Sequence, residues 1–205
     1  MNLRTITRPA VEPITLEEAL RHLEVDYGQH DSPPGDPATY YQADLVSELI
    51  SAARAHAEDF TERCLAEGTF ELRLDAFASV ISLPKAPVQS IVSIMYIDSD
   101  GAEQTLDPAV YTFDDNPDAP AVRLAYDQTW PATRSEANAV RIRFVAGFQA
   151  ASSPPNPVPP QIKQALLLII GHLHENREDS SAAKLEPIPL GAQALLRPLR
   201  LHMGV

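Results

Sequence analysis

The chain has 205 residues, 44% of them hydrophobic, and carries 16 Lys and Arg against 28 Asp and Glu, a formal net charge of −12. That is enough to bury a core in one domain, or in one domain with a large insertion. The acidic balance argues against sequence-reading DNA binding, which needs a basic footprint, but not against work beside DNA, because an acidic wall repels the phosphate backbone.

At the start, MNLRTITRPAVEP lacks the apolar centre of a signal peptide, so the chain is expected to be soluble and intracellular when made. The stretch ITLEEALRHLEVD predicts a short helix. Thr15 can cap it, with Glu18 three residues on as a capping box, and Leu16, Ala19, Leu20 and Leu23 mark one apolar face. Residues 27–42 hold three prolines and two glycines between Gly28 and Pro37, which predicts a loop. Residues 43–66 predict a longer helix. Val46, Leu49, Ile50, Ala53, Ala57, Phe60 and Cys64 form its apolar stripe, and Gly68 is expected to end it. Cys64 is the only cysteine, so it is read as a core residue. Neither an intramolecular disulfide nor a cysteine-based zinc site is possible, which fits a reducing compartment.

The pattern then changes to period two. TFELRLDAF alternates Phe70, Leu72 and Leu74 against Glu71, Arg73 and Asp75, a half-buried strand. SVISLPKAPV gives a short strand, and the segment from Ser90 to Asp115 reads as strand, turn, strand with Asp100-Gly101 at the turn. AVRLAY and AVRIRFVAGF complete about five or six strands. In ASSPPNPVPP five of ten residues are proline, a stiff linker. Residues 161–177 predict the most apolar helix, either central to a core or covered by another subunit. Its apolar run, Ala165 to Ile170, is too short to span a membrane. A short helix and tail follow in LGAQALLRPLRLHMGV.

The fold class expected is α+β. N- and C-terminal helices form a helical core, with an antiparallel β-domain of about five or six strands between them. The expected divisions are 1–67, N-terminal helices; 68–150, β-domain; and 151–205, linker, apolar helix and tail completing the helical core.

No constellation of residues predicts catalysis, a cofactor or a metal. His172 and His174 would project about 200° apart on a helix and cannot share one ion. Asp98, Asp100 and Glu103 flank a hairpin turn without the spacing of a calcium loop, and Asp114, Asp115 and Asp118 sit in a turn signature. Nucleophile elbow, Walker and dinucleotide loops are absent from the sequence. Trp130 is read as a core plug.

Taken in order, several pieces resemble the head–tail connector (adaptor) proteins of tailed bacteriophages with siphophage-type necks and of gene transfer agents. They are TLEEALRHLEVD, LISAARAHAEDFTERCL, FELRLDAF, LPKAPVQSIVSIMYIDSDGAEQTLDPAVYTFDD, YDQTWPATRSEANAVRIRFVAGF, VPPQIKQALLLIIGHLHENRE and LGAQALLRPLR. The resemblance implies a structural, non-enzymatic protein without cofactor, made in the bacterial host cytoplasm and located at the virion neck. It implies a homo-oligomeric ring of roughly a dozen subunits beneath the portal protein. That ring would extend the channel for passing DNA, without sequence-specific binding, and dock a stopper or other neck protein, with no membrane involved. Within it, Glu175, Asn176, Arg177 and Glu178 can fasten the helix end to the next loop or subunit. The basic, leucine-rich end, with Leu195, Leu196, Arg197, Leu199 and Arg200, is either a short helix folded back on its own domain or a docking peptide for the portal. The alternatives are another neck component, such as a stopper or tail-completion protein, and a small hydrolase or metal enzyme from a mobile element.

Overall fold

A computed structural model describes residues 2–25, 37–149, 157–176 and 189–201, with side chains in the second helix described from residue 43. The fold is α+β, with helices towards both ends of the chain and antiparallel sheets between. The chain forms two compact units: Met1–Val11 with Ala66–Phe148, and Glu12–Leu65 with Gln149–Val205.

The second unit is helical. Helix α1 (Leu16–His22) carries the expected capping box, with the Glu18 amide donating to Thr15 Oγ1 at 3.1 Å and the Thr15 amide donating to Glu18 Oε2 at 2.9 Å. Helix α2 runs Pro37–Thr61, so it begins inside the expected loop and stops short of Gly68. Proline is tolerated at a first helical position, which is why Pro37 opens the helix instead of breaking it. The end is set by Glu62, whose φ of 61° is left-handed. That turn carries Arg63, Cys64 and Leu65 into the interior as non-helical chain. The stripe that α2 buries is Ala43, Val46, Ile50, Ala53 and Ala57, spaced alternately by three and four. Leu49 and Phe60, expected on that stripe, are only half-buried.

Helix α3 (Pro160–Glu175) packs against α1, α2 and α4 (Leu190–Leu196). Its central position explains its apolarity. Ile162, Ala165, Leu166, Ile169 and Ile170 are buried, and the isoleucines and Leu166 each contribute about 1.5–3 kcal/mol of transfer free energy. Lys163 Nζ bridges to Glu18 Oε1 at 2.9 Å, tying α3 to α1. The Thr15 amide, and then Lys163, holds the Glu18 carboxyl below its ordinary pKa. A second tie joins α2 to the chain before α1. Arg54 Nε meets Glu12 Oε2 at 2.6 Å and Arg54 Nη1 meets Glu58 Oε2 at 3.1 Å, while Ser51 Oγ donates to Glu12 Oε1 at 2.9 Å. Glu58 Oε1 also accepts from the Leu65 amide at 2.8 Å.

Among the described residues the first unit holds eight strands in two sheets, more than the five or six expected. One strand not anticipated is β1 (Asn2–Thr7), which pairs antiparallel with β2 (Gly68–Leu74), so the segment 1–67 contains a strand as well as helices. Only Leu3 in it is half-buried and its other residues are exposed, so it shows no apolar alternation to read. The remaining strands are β3 (Val80–Ser82), β4 (Val88–Ile97), β5 (Glu103–Thr105), β6 (Tyr111–Asp114), β7 (Ala121–Leu124) and β8 (Val140–Ala146). One sheet runs β1-β2-β8-β4-β5 and the other β3-β7-β6. The segment 90–115, expected as one hairpin, therefore splits between both sheets, with a 3-10 turn at Pro108–Val110 between them.

The turn of the β4–β5 hairpin is where Asp100-Gly101 placed it. Gly101 has φ 86°, and its amide donates to Asp98 O at 3.0 Å. Asp98 organises this turn by accepting from the amides of Asp100 and Ala102 and from Gln104 Nε2, which hold its carboxyl below its ordinary pKa, Gln104 foremost. The 114–118 segment is a turn of the same kind, with Asp114 accepting from the Asn116 amide and Asn116 from the Asp118 amide.

Pairing in register sorts the sheet into two faces. Phe70 opposes Phe144 and Leu72 opposes Ile142; all four are buried. On the reverse face Glu71 opposes Arg143 and Arg73 opposes Arg141. Glu71 is buried and meets Arg73 Nη2 at 2.7 Å and Arg143 Nη2 at 3.0 Å. Burial raises the Glu71 pKa, but the two guanidiniums outweigh it and hold the carboxyl below its ordinary value. Arg141 pairs with Glu103 on β5. Trp130 is half-buried and is not a core plug: it stacks on Phe77 with centroids 4.7 Å apart, and Phe77 meets Tyr96 edge-on.

Candidate docking groove at the C-terminal helix

Helix α4 follows Pro189 and passes into a 3-10 turn at Arg197–Leu199. It has two faces. Ala192 and Leu196 are four residues apart and fully buried in the helical unit. Leu190, Gln193, Ala194 and Arg197, at spacings of three and four, line an open groove. Phe60 from the last turn of α2 and Arg200 complete its lining, and the groove encloses about 520 Å³.

The chain after α4 is fastened to the end of α2. Arg63 Nε donates to Leu199 O at 2.5 Å, and the Leu201 amide donates to Thr61 O at 2.9 Å. The Thr61 hydroxyl donates in turn to Ala57 O at 2.7 Å. The Arg200 guanidinium lies over the Phe60 ring, 5.9 Å from its centroid, and reaches Glu62 Oε1 at 3.3 Å. Leu190 is 71% exposed at the groove's edge. The lining thus combines apolar surface with two exposed arginines and no carboxylate, in a chain of net charge −12. Its chemistry suits a segment that is apolar on one side and carries carboxylates.

This arrangement sorts the residues expected at a partner interface. Arg197 and Arg200 are exposed, while Leu195 and Leu199 are half-buried. Leu196 is fully buried and belongs to the core, not to an exposed surface. The segment is therefore folded back on its own unit rather than a free docking peptide. Phe60 and Leu190, not singled out as interface residues, line the groove. The signal for Leu190 lies in its spacing: it shares a face with Ala194 and Arg197, opposite the buried pair.

Among the residues expected at the end of α3, Asn176 caps the helix. Its amide and its Nδ2 both donate to His172 O, at 3.0 and 2.9 Å. It fastens the last turn of its own helix. Glu175 is exposed, and Arg177 and Glu178 lie outside the described residues. His172 and His174 are half-buried. Among the described residues no group of three or more His, Cys, Asp or Glu is placed to hold a metal, and no helix is long and apolar enough to cross a membrane.

No protein-family model and no curated protein matches the chain. Solved structures do. A chain in the virion of a native gene transfer agent particle is 25% identical with a TM-score of 0.77, covering 100% of this chain and 98% of that one. Chains in the neck of the empty particle, computed with C6 symmetry, and in the neck of the native particle, computed with C12 symmetry, are each 24% identical, with TM-scores of 0.79 and 0.74 and the same coverage. From end to end, the chain has the fold of proteins that build the neck of phage-like gene transfer agent particles, the kind of protein its sequence resembles.

Proposed function

We propose that this chain is a head–tail connector, or adaptor, of a phage or phage-like particle, a structural protein and not an enzyme. Copies form a ring beneath the portal, extend the DNA channel and present a surface to the next neck protein. The observation that carries this reading is the full-length likeness to chains of gene transfer agent necks. The acidic charge suits a channel wall that DNA crosses without sticking.

Within this reading the α4 groove receives the portal protein. Phe60 and Leu190 supply apolar contact, and Arg197 and Arg200 meet portal carboxylates. The test is binding of the purified chain to the portal protein of the same particle, followed by mass photometry. The chain should bind, and Leu190→Asp or Arg197→Glu should weaken binding without changing the melting temperature. Binding only to a tail or stopper protein would make the chain a different neck component. Full affinity in both variants would remove the groove from the interface.

A further inference from the structure

The five-stranded sheet ends in two open edges of opposite charge. At one edge lies β1, and residues 2–11 contain Arg4 and Arg8 and no carboxylate. Both arginines are exposed, and neither guanidinium has a hydrogen bond or ion pair with any described residue. At the other edge lies β5, and residues 98–107 contain Asp98, Asp100, Glu103 and Asp107 with no Lys or Arg. The arginines that approach this edge are already engaged, Arg141 with Glu103 and Arg134 with Glu136. All three residues of β5 are exposed, as are five of the six in β1. Among the described residues neither edge takes a further strand.

An open edge offers unpaired backbone groups to another chain, and proteins commonly blunt such edges with charge. Edges of one sign would repel every copy. Here β1 repels β1 and the β5 edge repels the β5 edge, but β1 attracts the β5 edge. We infer that the β1 edge of one copy docks against the β5 edge of a second copy, Arg4 and Arg8 facing the carboxylates of residues 98–107. With three residues, β5 supports only a short backbone ladder, so charge pairs set the orientation. The contact is head-to-tail: each copy keeps one edge free for the next, as a ring requires. This deepens the ring reading above by naming its interface.

The test is cross-linking of the full chain at low ionic strength, where exposed charges act most strongly. Thr5→Cys places a thiol on β1 and Gln104→Cys places one on β5. With a short bismaleimide, the mixture of the two variants should give covalent dimers, each alone far fewer, and the unaltered protein, whose Cys64 is buried, none. Arg4→Glu in the β1 partner should reduce the yield severalfold, and Asp100→Arg in the other partner should restore it. Equal cross-linking by either variant alone, or none in the mixture, overturns the inference. So does loss of cross-linking on adding duplex DNA, which would assign the β1 arginines to phosphates. Portal binding is measured in parallel on the same variants. Portal binding without edge cross-links sinks this inference and leaves the adaptor reading standing; cross-links without portal binding do the reverse.

Discussion

The Arg200 guanidinium covers the ring of Phe60, 5.9 Å from its centroid, and so joins the end of the chain to the end of α2. Phe60 is half-buried, so its ring faces a groove and not the core. Phe60→Ala should then cost only about 1 kcal/mol in a urea titration, from lost cation–π and partial burial. The same substitution should weaken portal binding more than it weakens the fold. A loss above about 3 kcal/mol would place Phe60 in the core after all.

Leu196, six residues after Leu190 on the same short helix, should behave in the opposite way. It is fully buried, so Leu196→Ala should cost about 2–5 kcal/mol. Leu190→Ala should change stability by less than about 0.5 kcal/mol, because Leu190 is 71% exposed. Thermal unfolding of the two variants side by side checks the two-faced description of α4.

Arg54 sits between Glu12 and Glu58, its side chain 17% exposed. Arg54→Met keeps much of the volume but leaves two partly buried carboxylates facing each other. Such breakage of an ion pair should cost about 3 kcal/mol, and Glu12→Gln in addition should recover part of it. Additive losses in the double variant would show that the three groups do not act as a network.

Glu71 makes stability depend on pH. Its folded pKa is depressed below the ordinary 4.5, so the unfolded state takes up the proton first. The contribution is complete above about pH 5 and is lost as pH falls through the folded value. Glu18 acts with the same sign. Glu71→Gln should therefore be less stable at neutral pH, with Arg73 and Arg143 left unpaired, and should show a shallower acid limb. An acid limb identical to that of the unaltered protein would contradict this.

Much of the fold was legible from local rules. The Thr15–Glu18 box, the period-two strands Gly68–Leu74 and Val140–Ala146, the Asp100-Gly101 turn and the apolar α3 all carry their structure in their spacing. The failures have physical causes. β1 exposes nearly all its residues, so burial left no alternation to read. Helix α2 ends at Thr61 because the left-handed Glu62 turns Arg63 to Leu65 inward, and no glycine marks the place. At the groove, the sequence revealed an apolar and basic segment. It did not reveal which leucines face inward, because Leu190 and Leu196 differ only in where the helix meets its neighbours.

Whether this chain builds a neck ring is read from a cryo-electron reconstruction of the neck of particles carrying it. The density should show a ring of copies directly beneath the portal, enclosing the DNA channel, with each β1 edge against the β5 edge of its neighbour. A neck whose density is fully explained by other proteins, with this chain elsewhere or absent from the particle, would contradict it.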